Sequence, residues 1–236
     1  MKTYVLLMMG GVGSRFGADI PKQFTMIDEK PLFSYIVKRL ASLEFVNGIV
    51  AVVHKDWIGF TNEWLKRLKI LDKVQLVEGG SCRSESVYNG LKCLRDIVSD
   101  DDVVLMHDAT HPYVDKEGTH QVALLSYKYG AATLASLNYD TTYMMDNDNN
   151  IVQVVPRQNI IAGASPEGVR YKQIYDIYSS TPLDEMEKMT SVGAIALAHK
   201  IPIKVVPTSV LNLKITYQED MKLFKLLYKN YFFDEQ

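Results

Sequence analysis

The chain of 236 residues is 47% hydrophobic and 23% charged, which is enough apolar material for one large α/β core in a single domain spanning 1–236. Its formal net charge of −2 lacks the basic surplus of a general nucleic-acid binder. No apolar run approaches the ~18 residues of a membrane span, and Met1–Met9 has neither the long apolar core nor the small-residue cleavage site of a secretory leader, which predicts a cytoplasmic protein.

Strand-like and helix-like segments then alternate. Tyr4–Met9 reads as a strand running into glycines, and Leu32–Leu43 as a helix with Leu32, Ile36, Leu40 and Leu43 on one face. Gly48–Val53 and Val74–Val77 read as buried strands, with Trp57–Leu68 as a helix between them. Ser84–Ile97 is an amphipathic helix, Val103–Met106 a strand ending in His107-Asp108, Gln121–Tyr129 a helix and Ala131–Leu137 a strand. Cys82 and Cys93 fall about 16 Å apart along one predicted helix, at ~1.5 Å per residue, too far for a disulfide. The βαβα order predicts an α/β fold: a mostly parallel Rossmann-like sheet with helices on both faces and ligands beyond the carboxyl ends of its strands. Around 138–159 the pattern changes. Thr141–Met145 and Ile151–Val155 flank an Asp-Asn-Asp-Asn-Asn turn, which predicts a projecting β-arm. Such a hairpin is rarely stable alone, and a second subunit would give it a surface, so a homodimer through the arm is expected. Thr181-Pro182-Leu183-Asp184 signals a helix start, with the helix running to about Lys200. Strands are expected at Ile203–Val206 and Leu213–Ile215, and Thr216-Tyr-Gln-Glu219 reads as a capping box opening a helix to about Tyr231.

The chemistry concentrates after the first strand, at Gly10-Gly11-Val12-Gly13-Ser14-Arg15-Phe16-Gly17. Glycines let backbone N–H groups approach an anion closely, and two cations, Arg15 and Lys22, flank the cluster. No Gly-Lys-Ser/Thr follows, so this is not a P-loop. Val53-His54 stands at the end of the second strand, where a dinucleotide fold would need an acid. The residues point to a triphosphate grip.

The stretch from Met9 to Gly17, with Pro21-Lys22-Gln23-Phe24, resembles the signature of sugar-nucleotide pyrophosphorylases. The Pro-Lys-Gln-Phe ending resembles one branch, the methylerythritol-phosphate and ribitol-5-phosphate cytidylyltransferases. Further matches run along nearly the whole chain. Glu78-Gly79-Gly80, Arg83 and Ser86 resemble the family's second nucleotide segment, around cytosine and ribose. His107-Asp108-Ala109-Thr110-His111-Pro112 resembles His-Asp-Ala-x-Arg-Pro, Asp140-Thr141-Thr142 the arm's Asp-Thr, and Asn212-Leu-Lys214-Ile-Thr216 the motif Asn-x-Lys-Ile/Val-Thr. The resemblance implies CMP transfer from CTP to a polyol phosphate, such as ribitol 5-phosphate or 2-C-methyl-D-erythritol 4-phosphate, with release of pyrophosphate. The pathway would be isoprenoid-precursor or teichoic-acid and capsule synthesis.

In that scheme Arg15 and Lys22 are catalytic, and Gly10, Gly11, Gly13, Ser14, Gly80, Arg83, Ser86 and Asp108 bind the nucleotide. Asp108 is also the Mg²⁺ ligand, while Ala109, His111, Thr141, Arg157, Thr190 and Lys214 surround the acceptor. His107 is expected to be structural.

The departures fall mostly on the acceptor side. His111 replaces an Arg, Ser165-Pro166-Glu167 stands for Thr-Pro-Gln, and Thr190-Ser191-Val192-Gly193 for Thr-Asp-Glu-Ala. A sugar-1-phosphate nucleotidyltransferase using UTP or GTP, or a non-catalytic nucleotide-binding homologue, is the alternative.

Overall fold

The computed structural model describes residues 1–11 and 20–232; residues 12–19, and with them the expected site residues Gly13, Ser14 and Arg15, lie outside the described residues. The first strand is β1 (Thr3–Met9). A 3₁₀ turn at Lys22–Phe24 leads through a short hairpin, β2 (Met26–Ile27) and β3 (Lys30–Pro31), into α1 (Leu32–Ala41). Then come β4 (Gly48–Val53), α2 (Ile58–Arg67), β5 (Val74–Glu78), α3 (Arg83–Leu94), β6 (Val103–Asp108), α4 (Lys116–Tyr129) and β7 (Ala131–Leu137). These keep the alternation read from the sequence. Helix α4 starts five residues early, because Asp115 caps it by accepting the Gly118 N–H at 2.8 Å.

The expected hairpin is formed by β8 (Thr142–Met145) and β9 (Ile151–Val155). At its tip the Asp146 carboxylate accepts the N–H groups of Asp148 and Asn150, both at 2.9 Å. The next two elements are not legible in the sequence: β10 (Ile161–Arg170) and α5 (Tyr171–Ser180). The sequence of β10 holds Gly163, Pro166 and Gly168, residues that ordinarily argue against a strand. It survives as a strand because its register slips between Gly163 and Glu167, so Pro166 sits at an irregularity.

Three expectations in the last third are corrected. The helix expected from Thr181 to Lys200 is two short ones, α6 (Leu183–Met186) and α7 (Val192–Ala198). The chain breaks between them because Ser191 restarts the helix as an N-cap, accepting from the Ala194 N–H at 3.1 Å. After β11 (Ile203–Pro207), Leu213–Ile215 forms no strand. That stretch is held by single bonds, such as the Ile215 N–H to the Thr110 carbonyl at 2.8 Å, and not by a ladder. The last helix, α8 (Gln218–Phe232), is capped by Asp220 and not Glu219: its carboxylate accepts the N–H groups of Thr216 and Tyr217, both at 2.8 Å.

The seven main strands order as β11-β7-β10-β6-β1-β4-β5. All neighbours are parallel except β10, which is antiparallel to both β6 and β7. Side chains alternate along each strand, so β1 sends Val5, Leu7 and Met9 to one face and Tyr4 and Leu6 to the other. The first set packs with α1, α4 and α8, the second with α3, α5 and α7. Helix α3 lies close on the sheet at Gly90, where a Cβ would fall 2.9 Å from Val52. An α/β fold with a mostly parallel sheet, helices on both faces and a β-arm is therefore what the chain adopts.

Candidate active site

The site grows from the carboxyl ends of β1, β5 and β6. Strand β1 runs into Gly10 and Gly11, and β5 into Gly79 and Gly80. The two turns meet: a Cβ on Gly79 would lie 3.2 Å from Ser86 Oγ and 3.8 Å from the Gly10 Cα. Ser86, 5% exposed, accepts the Gly80 N–H at 2.9 Å and donates to the Cys82 carbonyl at 2.9 Å. It thus fixes the Gly-Gly turn to the first turn of α3. Gly80 has no room for a side chain, since its Cβ would stand 2.5 Å from that of Glu85.

The Pro-Lys-Gln-Phe segment is built just as firmly. Gln23, 2% exposed, donates its amide to the carbonyls of Met9 (2.8 Å) and Gly11 (2.7 Å). Phe24 stacks on Trp57, centroids 4.3 Å apart and planes 6° from parallel, with Phe33 and Phe60 edge-on. Lys22 is therefore carried on a turn anchored on one side to the glycine backbone and on the other to an aromatic cluster. Gln23 is a site-building residue that the motif contains but whose task the sequence does not declare.

At the end of β6, Asp108 stands between two cations. Its Oδ1 is 3.1 Å from Arg83 Nη2, and its Oδ2 is 2.8 Å from Lys214 Nζ. Burial would raise its pKa, but the charges of Arg83 and Lys214 outweigh burial and hold it at about 2. The carboxylate is thus ionised at any physiological pH. It suits a hard divalent cation, and among the described residues no group of three His, Cys, Asp or Glu side chains gathers to form a fuller cage. A single carboxylate is what Mg²⁺ ordinarily takes from a protein when substrate phosphates and water supply its other oxygens.

Of the expected acceptor residues, Lys214 reaches this cluster directly. Thr190 is exposed and follows Met189, whose carbonyl accepts from the Oγ of Ser84, the residue after Arg83, at 2.8 Å. Ala109 is fully buried in the core and its N–H is spent on the Met8 carbonyl, so its side chain does not face the site. His111 is 7% exposed, and its N–H donates to the Asp108 carbonyl at 3.0 Å. Burial and the neighbouring His107 drive its pKa down to about 4, so it stands neutral where the pattern has an arginine. His107 is fully buried and donates through Nε2 to the His111 carbonyl at 3.0 Å, as expected of a structural histidine. Thr141 and Arg157 stay apart, exposed at the arm's base, where Arg157 donates to the Tyr139 carbonyl at 3.0 Å. Asn212 pins the Lys214 loop to the sheet by donating to Ser136 Oγ (3.2 Å) and the Gly163 carbonyl (3.1 Å).

A glycine turn and fixed cations at the strand ends of this α/β sheet are the equipment of a nucleotidyltransferase, an enzyme that must hold a triphosphate beside an anionic acceptor. Similarity to known proteins narrows the class. The family model of IspD, 2-C-methyl-D-erythritol 4-phosphate cytidylyltransferase, matches residues 3–229. The enzyme of that name from Thermotoga neapolitana is 32% identical over 228 residues, 96% of each chain. The fold matches the 4-diphosphocytidyl-2C-methyl-D-erythritol synthase of Anaerococcus prevotii with a TM-score of 0.79 at 20% identity, covering 97% of this chain and 98% of that one. It also matches the IspD structure of Francisella tularensis, with a TM-score of 0.75 at 24% identity, covering 96% and 99%. The chain belongs to the 2-C-methyl-D-erythritol 4-phosphate cytidylyltransferase family, and it is a cytidyl-transferring nucleotidyltransferase.

Proposed function

We propose that this enzyme transfers CMP from CTP to 2-C-methyl-D-erythritol 4-phosphate, releasing pyrophosphate, within isoprenoid-precursor synthesis. The observation that carries the reading is the Asp108 cluster, a carboxylate ionised between Arg83 and Lys214 beside the glycine turns, in a chain matched by that family over nearly its whole length. The acceptor phosphate is itself the nucleophile, so no general base is needed. Its oxygen bonds to the α-phosphorus of CTP, the bond from that phosphorus to the bridging oxygen breaks, and pyrophosphate leaves with the electron pair. The obstacle is the approach of two anions and the charge that builds on the transferring and leaving groups.

Lys22 is assigned to the α-phosphate and Arg15 to the triphosphate, with the N–H groups of Gly10, Gly11, Gly13 and Ser14 as further donors. Gly80, Arg83 and Ser86 hold the nucleoside end. Asp108 would hold Mg²⁺, which neutralises phosphate charge when bound. Lys214, Arg157, Thr190 and a Thr141 from a second copy would place the acceptor phosphate, Arg157 in the bidentate way open to a guanidinium.

One copy of the arm supports the dimer in this reading. Tyr139, Met145, Ile151 and Val154 are 61–77% exposed, an apolar surface that a hairpin seldom shows to water alone. Light scattering at assay concentration gives a dimer mass, and a monomer there would remove the arm from the acceptor site. No helix among the described residues is long and apolar enough to cross a membrane.

A second reading, ribitol 5-phosphate as acceptor, draws on one observation: His111 is buried and neutral where the pattern carries an arginine. A CTP-dependent pyrophosphate-release assay over both polyol phosphates tests the choice, with UTP in place of CTP as the nucleotide control. Turnover with 2-C-methyl-D-erythritol 4-phosphate at least tenfold above ribitol 5-phosphate is expected. The reverse order would overturn the acceptor assignment.

A further inference from the structure

Two departures from the family pattern, Ser165-Pro166-Glu167 and Thr190-Ser191-Val192-Gly193, meet in space. Glu167, on β10, points both carboxylate oxygens at the first turn of α7: Oε2 accepts the Val192 N–H and Oε1 the Gly193 N–H, each at 3.1 Å. With Ser191 Oγ on the Ala194 N–H, two side chains satisfy three of the amides that a helix start leaves unpaired. A carboxylate answers two N–H donors at once and complements the positive end of the helix, whereas a glutamine presents only one acceptor oxygen. An acid at 191 or 192, where the family pattern has Asp-Glu, would add a like charge near this carboxylate; Ser191 and Val192 add none. The negative charge has in effect moved from the helix to the strand facing it.

The consequence falls on Thr190. The segment before α7 hangs between two anchors: Ser84 Oγ on the Met189 carbonyl at 2.8 Å, beside Arg83, and Glu167 on the far side. Thr190 lies between them and is exposed. We propose that Glu167 is a positioning residue for the polyol-phosphate acceptor, holding Thr190 at the site through the start of α7. The inference rests on the reading of Thr190 as an acceptor-binding residue.

Steady-state kinetics on the full-length chain test it, with CTP and 2-C-methyl-D-erythritol 4-phosphate varied separately for Glu167→Ala, Glu167→Gln and Thr190→Ala. Glu167→Ala raises the acceptor KM about tenfold while the CTP KM stays within about twofold, and Glu167→Gln, keeping one of the two bonds, falls in between. A general loosening of the fold would move both KM values together, so parallel changes overturn the proposal. An acceptor KM within about twofold of wild type in Glu167→Ala also overturns it. Should that variant not fold, Glu167→Gln decides, and an unchanged acceptor KM there is equally fatal. Thr190→Ala separates the two ideas. If it raises the acceptor KM while the Glu167 variants do not, the positioning role alone fails. If it leaves that KM unmoved, the Thr190 reading fails and takes the positioning role with it.

Discussion

Replacing Gln23 by methionine isolates what anchors the glycine turn. The two side chains are close in length and volume, so the pocket stays filled, but methionine has no N–H. Two carbonyls lose their donor, those of Met9 at 2.8 Å and Gly11 at 2.7 Å. Met9 is 1% exposed, so water cannot replace the amide there, and an orphaned buried acceptor costs about 1–3 kcal/mol. Gly11 is exposed, so water takes over, and that loss is about 0–1 kcal/mol. Leaving a thioether in place of a buried amide recovers part of this, and the net destabilisation comes to roughly 2 kcal/mol. For a chain of this size that corresponds to a melting temperature lower by about 4–8 °C. Differential scanning fluorimetry without nucleotide reads the stability, and pyrophosphate release against CTP concentration reads the turn. Both should move: a lower melting temperature and a higher KM for CTP. A melting temperature within about 1 °C of wild type would refute the energetic reasoning. A lower one with an unchanged CTP KM would show that Gln23 serves the fold and not the site.

Lys22→Ala is expected to keep its fold and lose pyrophosphate release by a factor of hundreds or more, on the order of one transition-state donor at ~3–4 kcal/mol; near-wild-type turnover would remove Lys22 from the α-phosphate. His111 gives a pH prediction with a definite sign. Its pKa falls from the ordinary histidine value of 6.5 to about 4 on folding, so between those values the unfolded chain binds a proton that the native protein does not. Stability is therefore full above about pH 6.5 and declines as the pH drops toward 4, by about 3 kcal/mol in all from this residue. His107, whose pKa burial also lowers, adds in the same direction. Urea midpoints from pH 7.5 to 4.5 should slope less in His111→Gln than in wild type, and identical slopes would contradict the burial of a neutral imidazole.

The sheet is legible where one period dominates. Gly48–Val53 and Ala131–Leu137 are runs of small and β-branched residues whose boundaries the structure reproduces. β10 is hidden because its stability comes from neighbours on both sides, β6 and β7, and not from its own Gly- and Pro-containing sequence. The break between α6 and α7 is hidden for a related reason, since the Glu167 that stabilises the new helix start is 25 residues away. At the site, residues in contiguous motifs stand out readily, and Asp108 and Lys214 do meet. Their partnership with Arg83 cannot be read, because three segments separated by the whole length of the sheet must fold before one carboxylate can face two cations. Ala109 shows the opposite limit: a motif position can sit beside the site and spend its side chain on the core.

The strand order explains why the cluster forms at Asp108. From β1 the chain steps outward to β4 and β5, then returns to lay β6 on the other side of β1, and β10, β7 and β11 continue from there. The reversal lies between β1 and β6, and in open α/β sheets a crevice opens at the carboxyl ends on either side of such a point. The glycine turn leaves β1 there, and Asp108 pairs in register with Met8 of β1 at the same level. One side of the crevice therefore receives the loops leaving β1 and β5, including Arg83 at the start of α3. The other receives the loop leaving β11, which carries Asn212 and Lys214. Antiparallel β10 enters from this same edge, and further along it Glu167 stands opposite Met106. Arg83 and Lys214 are 41% and 49% exposed on their side chains, so their pairs with Asp108 add little to stability in water. Their value is positional: one carboxylate holds a cation from the loop after β5 and a cation from the loop after β11 together at this crevice.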